Sequence, residues 1–152
     1  MSAGESKPDW LHADSVVCWN EFLRDAVGRV SGALGPGFTE SIYQHALAAE
    51  LRTNGFVVEV ERIFEINYCG QSVGFVRADL VVDGHAVLEL KTVAKITDTH
   101  VAQLDAYMRQ LTGWPRTGAV VNFGIHGGWE IKTRECATRG GVSRISDSNV
   151  GE

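Results

Sequence analysis

Asp79, Glu89 and Lys91 are the residues whose types and spacing could do chemistry together. Two carboxylates offer hard oxygen ligands of the kind that Mg²⁺ or Mn²⁺ takes, and an adjacent lysine can steer a water or a phosphate. All three lie in the run Arg77-Ala78-Asp79-Leu80-Val81-Val82-Asp83-Gly84-His85-Ala86-Val87-Leu88-Glu89-Leu90-Lys91. Leu80, Val82, Leu88 and Leu90 alternate with other residues there, which reads as a hairpin with one apolar face. Val87, Glu89 and Lys91 then share the opposite face. The competing reading is a surface ion pair of Glu89 with Lys91 or Arg77 on a solvated face. Between apolar strands the same charges are costly unless paired or metal-bound.

Parity decides whether Asp79 joins Glu89. A two-residue turn at Asp83-Gly84 pairs Asp79 with Leu88 and separates the two carboxylates. A three-residue loop from Val82 to Gly84, with Gly84 left-handed, pairs Asp79 with Val87 and makes Asp79 and Glu89 diagonal neighbours. Only the second register puts Leu80, Leu88 and Leu90 on one side, so it is the one expected.

The elements around the hairpin follow from period and punctuation. Asp14 or Ser15 can cap a first helix, whose apolar residues from Val16 to Val30 occupy more than one stripe and which Gly35-Pro36-Gly37 ends. A second helix is predicted from about Phe38 to Thr53, with Asn54-Gly55 as a left-handed cap. The period then becomes two, with strands predicted at 56–61, 63–68, 73–82 and 86–92. Thr97 or Asp98 caps a third helix through Leu111, closed by Thr112-Gly113. Strands 118–123 and 129–133 follow, around a glycine-rich turn. The expected organisation is a flexible N-terminus at 1–12, one domain at 13–135 and a disordered tail at 136–152.

The chain has 152 residues, 44% of them hydrophobic and 22% charged, which suits one soluble domain with an ordinary core. Its net charge is −5, and residues 1–65, with ten acids and five bases, account for all of it. Nucleic-acid affinity rests on neutralising phosphates, so a passive nucleic-acid coat is excluded, while an enzyme whose acids hold metal is not. Cys18, Cys69 and Cys136 are odd in number and far apart, which suits a reducing compartment. No stretch is apolar enough for a signal peptide or a membrane span, so an intracellular location (cytoplasmic, or nuclear) is expected.

Other candidates carry bland readings beside sharp ones. His100, Gln103 and Tyr107 fall at i, i+3 and i+7 on the third helix and form one stripe beside the apolar Val101, Leu104, Met108 and Leu111. That stripe is either a solvated face or a contact to substrate, and His100 either meets a phosphate or caps the helix. Glu40 lies in the first turn of the second helix, where the helix dipole already favours a carboxylate. Tyr43, one turn on, reads as a packed aromatic or as a substrate-orienting group. Lys95 and Arg77 flank the hairpin and can offer positive charge to a phosphodiester. The other histidines show no zinc spacing, and the four tryptophans are not spaced as a stacking platform.

The pattern resembles the PD-(D/E)xK nuclease superfamily, with Ala78-Asp79 in place of Pro-Asp and Glu89-Leu90-Lys91 as its second element. More closely it is similar to the GxxExxY family, whose name motif matches Gly37-Phe38-Thr39-Glu40-Ser41-Ile42-Tyr43. The resemblance runs from about Val16 to Arg134. It includes Leu34-Gly35-Pro36-Gly37, Gln103-Leu104 with Tyr107, and Asn122-Phe123-Gly124. One departure is Ser31, which stands where the family has a histidine.

The resemblance implies an α/β fold with a restriction-endonuclease-like core, a mixed central β-sheet flanked by helices. It implies divalent-metal-dependent hydrolysis of a DNA or RNA phosphodiester. Glu40, Asp79 and Glu89 would hold Mg²⁺ or Mn²⁺, Lys91 would act on the reacting groups, and Gln103 and Tyr107 would orient the lysine or the scissile strand. The rival reading is a catalytically silent nuclease-like scaffold that binds protein or nucleic acid. A homodimer closed by the first helix is a further alternative.

Overall fold

A computed structural model of the chain describes residues 16–110, 117–135 and 144–146. The elements, in chain order, are α1 (Val16–Leu34), α2 (Glu40–Thr53), β1 (Val58–Tyr68), β2 (Gln71–Val82), β3 (Ala86–Lys91), α3 (Asp98–Gln110), β4 (Thr117–Phe123), β5 (Trp129–Glu135) and β6 (Arg144–Ser146). One sheet takes all six strands in the order β1-β2-β3-β4-β5-β6. β3 and β4 run parallel, joined through α3, and the other neighbours are antiparallel. The fold is α/β, a mixed sheet flanked by helices and consistent with a restriction-endonuclease-like core.

Alternation along the central strands makes two cores. Leu80, Val82, Leu88, Leu90, Val121 and Phe123 pack against Trp19, Leu23, Val27, Leu47 and Leu51 of α1 and α2. On the other face Val81, Val87 and Val120 meet Val101, Leu104 and Met108 of α3. Every residue of β4 is buried, as expected for a strand covered on both faces. At Gly118 the helix packs close on the strand: a β-carbon would lie 2.6 Å from the Met108 sulfur and 3.2 Å from Leu104 Cδ1, so those side chains would have to shift.

The ends of α2 show why its neighbours sit where they do. Thr39 is the N-cap, Phe38 precedes it, and the rings of Phe38 and Tyr43 meet edge-on at 6.2 Å, a hydrophobic staple between N′ and N4. At the other end Gly55 is left-handed (φ 88°). Its amide reaches the Arg52 carbonyl and that of Phe56 reaches Leu51, the Schellman pair of bonds.

Three expectations need correction. The expected break between two strands at Arg62 is absent; β1 is continuous, and Glu61 instead takes a left-handed φ of 56° within it. The β2–β3 loop is three residues long but spans Asp83 to His85, since Val82 pairs with Ala86 and Leu80 with Leu88. Both Asp83 and Gly84 have positive φ and the His85 amide reaches the Val82 carbonyl, so a type I′ turn is followed by His85 as the extra residue. Asp79 therefore falls opposite Glu89, not Val87, and the parity argument survives because the loop kept its odd length. Residues 144–146, expected within a disordered tail, form β6 against β5. The segment 1–12, the rest of 136–152 and the close of the third helix lie outside the described residues.

The apolar stripes of α1 are consumed inside the chain. Trp19, Leu23, Ala26, Val27 and Val30 are buried, and Cys18, Phe22 and Leu34 pack against the same core. Gly28 brings the helix onto Trp129, whose indole lies 3.6 Å from where a β-carbon would stand. Among the described residues the exposed large apolar side chains lie elsewhere, on and just before the β1–β2 hairpin, around the start of α2 and, as Ile125, in the β4–β5 turn.

Candidate active site

The ladder between β2 and β3 ends at Leu80 and Leu88, and the carboxylates of the next pair take over from the backbone. Asp79 Oδ2 accepts the Leu90 amide at 2.7 Å. The Asp79 amide in turn hydrogen-bonds the Glu89 carboxylate. The two strands thus part at this point, held by side chains in place of main-chain bonds. Gln44, buried on α2 one turn after Glu40, donates from Nε2 to the Asp79 carbonyl at 3.4 Å.

Glu89 is 6% exposed, and its Oε1 is buried with no hydrogen-bond partner. An orphaned carboxylate oxygen of that kind is costly unless something else binds it. Its carboxyl is accordingly pushed up to about 8, first by burial and then by the charge of Asp79, against the pull of the Asp79 amide and of Lys91. Burial also raises Asp79, opposed by the Leu90 amide and by Lys91. Glu40 is raised by burial and by Asp79 and lowered by Lys91, so α2 brings its first-turn acid within electrostatic reach of the hairpin. Each of the three acids carries Lys91 among its lowering influences.

On the far side α3 presents Tyr107. Its hydroxyl is raised by burial and by the charges of Glu89 and Asp79, and it accepts a hydrogen bond from Gln103 Nε2 at 3.2 Å. Tyr107, with Gln103 bonded to it, therefore lies within electrostatic reach of the carboxylates. His100 does not join them. Its Nδ1 accepts the Thr97 amide at 3.0 Å, and its own amide reaches Thr97 Oγ1 at 3.5 Å, a reciprocal cap at the start of α3.

Tyr43 is buried and stacked on Phe123, with centroids 4.6 Å apart. Its hydroxyl donates to the Gly35 carbonyl and receives the Phe38 amide at 3.4 Å. It thereby ties down the Gly-Pro-Gly turn that precedes Glu40. Arg77 lies 3.9 Å from Glu61, both of them exposed, and Lys95 is exposed in the loop before α3.

That loop is held by two residues the sequence reading gave no role. Asn122, at the end of β4 beside Lys91, donates from Nδ2 to the Val93 carbonyl at 3.0 Å and accepts the Val93 amide at 2.9 Å. Glu130 on β5 accepts the Ile96 amide and lies 3.5 Å from Asn122 Nδ2. Asn122 had a signal, as a polar residue in an otherwise apolar strand. Gln44 had one too, as the polar i+4 neighbour of Glu40. Glu61, which lies on β1 between the partners of Leu80 and Ala78 and whose charge pushes the Asp79 pKa up, had none.

The chemistry of the donors suits a hard divalent cation. Carboxylate oxygens predominate, one of them orphaned, with a cation beside them to offset their repulsion. Among the described residues no three His, Cys, Asp or Glu side chains already converge closely enough to enclose an ion. The Asp79–Glu89 pair is thus a two-carboxylate nucleus, with Glu40 coupled to it through space.

Comparison with known proteins gives one match. Neither the curated proteins nor the solved structures contain a counterpart similar enough to match. A family model does, over residues 19–134, a span that runs from the core of α1 to the end of β5 and takes in every acid described above. By that match the chain belongs to the PD-(D/E)XK nuclease superfamily.

Proposed function

We propose that this protein is a divalent-metal-dependent nuclease, cleaving phosphodiester bonds of DNA or RNA, and that it lies within the GxxExxY branch of its superfamily. The observation that carries the reading is the buried, orphaned Glu89 oxygen beside Asp79, at the point where the two strands part. Nucleases of this superfamily typically use divalent metals. Here Asp79 and Glu89 would hold Mg²⁺ or Mn²⁺, with Glu40 completing the set. When bound, such an ion lowers the pKa of water and offsets the negative charge that builds on phosphorus.

The protein's own groups then divide the work. Lys91 offsets the charge of the acid cluster, and its ammonium would meet a phosphate oxygen and stabilise charge in the transition state. Tyr107, fixed by Gln103, offers a hydroxyl that can donate to the substrate or to Lys91's neighbours. Tyr43 acts at a distance by setting the turn that aims Glu40, and His100 by capping the helix that carries Tyr107.

The test is a thermal-shift titration of the full chain with Mg²⁺ and Mn²⁺, run beside a cleavage assay on single- and double-stranded DNA and RNA. The expected result is a rise in Tm of several degrees at about 100 times the Kd, from roughly 2.7 kcal/mol of ligand stabilisation, absent in Glu89→Ala. Lys91→Ala should keep the shift and lose cleavage at least ~100-fold. Wild type that neither shifts nor cleaves any of the substrates would establish the silent scaffold instead. Normal cleavage by Lys91→Ala would remove the lysine from the mechanism.

A further inference from the structure

Beside the carboxylates lies a second feature that hydrolysis alone does not use. A cavity of about 200 Å³ opens at the ends of β3 and β4, lined by Gly37, Phe38, Tyr43, Thr92, Phe123 and Ile125 together with Gly124. Its lining residues Thr92 and Phe38 stand one residue past Lys91 and two residues before Glu40 in the chain. Thr92, the first residue after β3, lines the cavity, while Lys91, the last of β3, acts electrostatically on the three acids.

We infer that this cavity takes a single unpaired nucleobase next to the scissile phosphate, and that the enzyme's substrate is therefore single-stranded nucleic acid or a frayed end. The inference rests on the nuclease reading above and narrows it to a substrate class.

Four observations support it. The walls are aromatic and aliphatic, and among the side chains lining the cavity only the hydroxyls of Thr92 and Tyr43 are polar, the latter already engaged with Gly35 and Phe38. Such a surface grips any base by its face without reading its edge. The volume is below that of a usual small-molecule pocket and suits one flat heterocycle. Phe38 is 46% exposed and Ile125 47%, although Phe38 already packs edge-on against Tyr43. That single ring contact leaves nearly half of Phe38 open to a ligand. Last, the chain carries a net charge of −5, which leaves little basic surface to hold a duplex by its phosphates. Stacking supplies binding that such a protein otherwise lacks.

Glycine geometry keeps the cavity open. Gly37 has a φ of 110°, and a β-carbon on Gly124 would stand 2.6 Å from the Gly127 carbonyl oxygen. Both turns at its mouth therefore need glycine, and Tyr43 stacked on Phe123 forms a rigid floor.

The experiment uses the full chain carrying Lys91→Ala, so that substrate stays intact in Mg²⁺. Short oligonucleotides with one 2-aminopurine are titrated by fluorescence as single-stranded DNA, single-stranded RNA and the matching DNA duplex. Quenching on binding and a clear preference for one or both single strands over duplex are expected, the two single-stranded arms telling DNA from RNA. Adding Phe38→Ala should raise Kd about tenfold, and so should an abasic site at the quenched position. The two changes together should cost little more than either alone, because they remove the same contact. Phe38→Leu, which keeps an apolar staple, should match Phe38→Ala in Kd while holding Tm, which separates a lost stacking face from a loosened helix.

Equal or tighter binding of duplex, or an unchanged Kd in both Phe38 variants, would overturn the inference. Failure of the nuclease reading looks different: wild type would show no Mg²⁺-dependent cleavage of any substrate, whatever the Phe38 variants do.

Discussion

Folding buries Glu89 between two strands and beside another acid, and its acidity records the cost. The sign of the consequence can be worked out. Between the ordinary glutamate value of 4.5 and about 8, the folded protein holds a proton on Glu89 that the unfolded chain has released. Stability of the metal-free protein therefore falls as pH rises through that window and levels off above it. Asp79 and Glu40, also raised, act in the same direction. The expected outcome is a Tm that drops steadily from pH 5 to pH 8 in EDTA. Glu89→Gln should flatten most of that slope and be more stable than wild type at pH 8 by roughly 1–3 kcal/mol. A wild-type Tm independent of pH over this range would mean that Glu89 is solvated or paired in solution. Mg²⁺ should also bind more tightly as pH rises, since the ligand must lose its proton first.

At the scale of elements, three pieces aim the chemistry and each is held by its own device. The β2–β3 hairpin presents Asp79 and Glu89 because a type I′ turn and one extra residue give its loop an odd length. The start of α2 is set by the Tyr43 hydroxyl on the Gly35 carbonyl. α3 is fixed twice, by Arg134 Nε on Asp105 Oδ1 at 2.8 Å in a largely buried setting, and by the Asn122–Val93 and Glu130–Ile96 bonds that hold its approach loop. Asn122 is 2% exposed, and removing its amide strands the Val93 N–H and leaves the Val93 carbonyl only the long bond from the Ile125 amide at 3.4 Å. Asn122→Ala should cost roughly 1–3 kcal/mol in urea unfolding. It should also slow hydrolysis without weakening Mg²⁺ binding, because it frees the segment after Lys91 and leaves the carboxylates in place. Unfolding at the wild-type urea concentration would show that the clamp contributes nothing.

For the whole molecule, charge and metal are coupled. The acid excess belongs to residues 1–65, which contain Glu40 and Glu61, while residues 66–152 carry nine acids and nine bases. Without metal the acid cluster repels a phosphate. Two divalent ions would bring the formal total from −5 to −1. Nucleic acid should therefore bind at least ~10-fold more tightly in Ca²⁺ or Mg²⁺ than in EDTA. The dependence on monovalent salt should be shallow, since binding carried by metal and stacking releases few counterions from the phosphates. Electrophoretic retardation across a KCl series checks both, and a steep salt slope in EDTA would contradict the picture. No described helix is long and apolar enough to cross a membrane.

The sequence by itself determined the alternation of Leu80, Val82, Leu88 and Leu90, the odd loop that puts Asp79 and Glu89 on one face, and the helical stripe of Gln103 and Tyr107. Those are local matters of period and parity, and side-chain direction follows from them. What only the tertiary structure decided is how far each carboxylate is taken out of water and which residues share its field. Period could not show that the ladder gives way at Asp79, that Glu89 Oε1 lacks a partner, or that Asn122 and Glu130 clamp a loop some thirty residues away in sequence. Nor could it show that His100 caps α3, or that Tyr43 stacks on Phe123 and bonds the Gly35 carbonyl. Burial and hydrogen bonding depend on neighbours brought together from distant parts of the chain, so they exist only once the sheet has closed between its two helical layers.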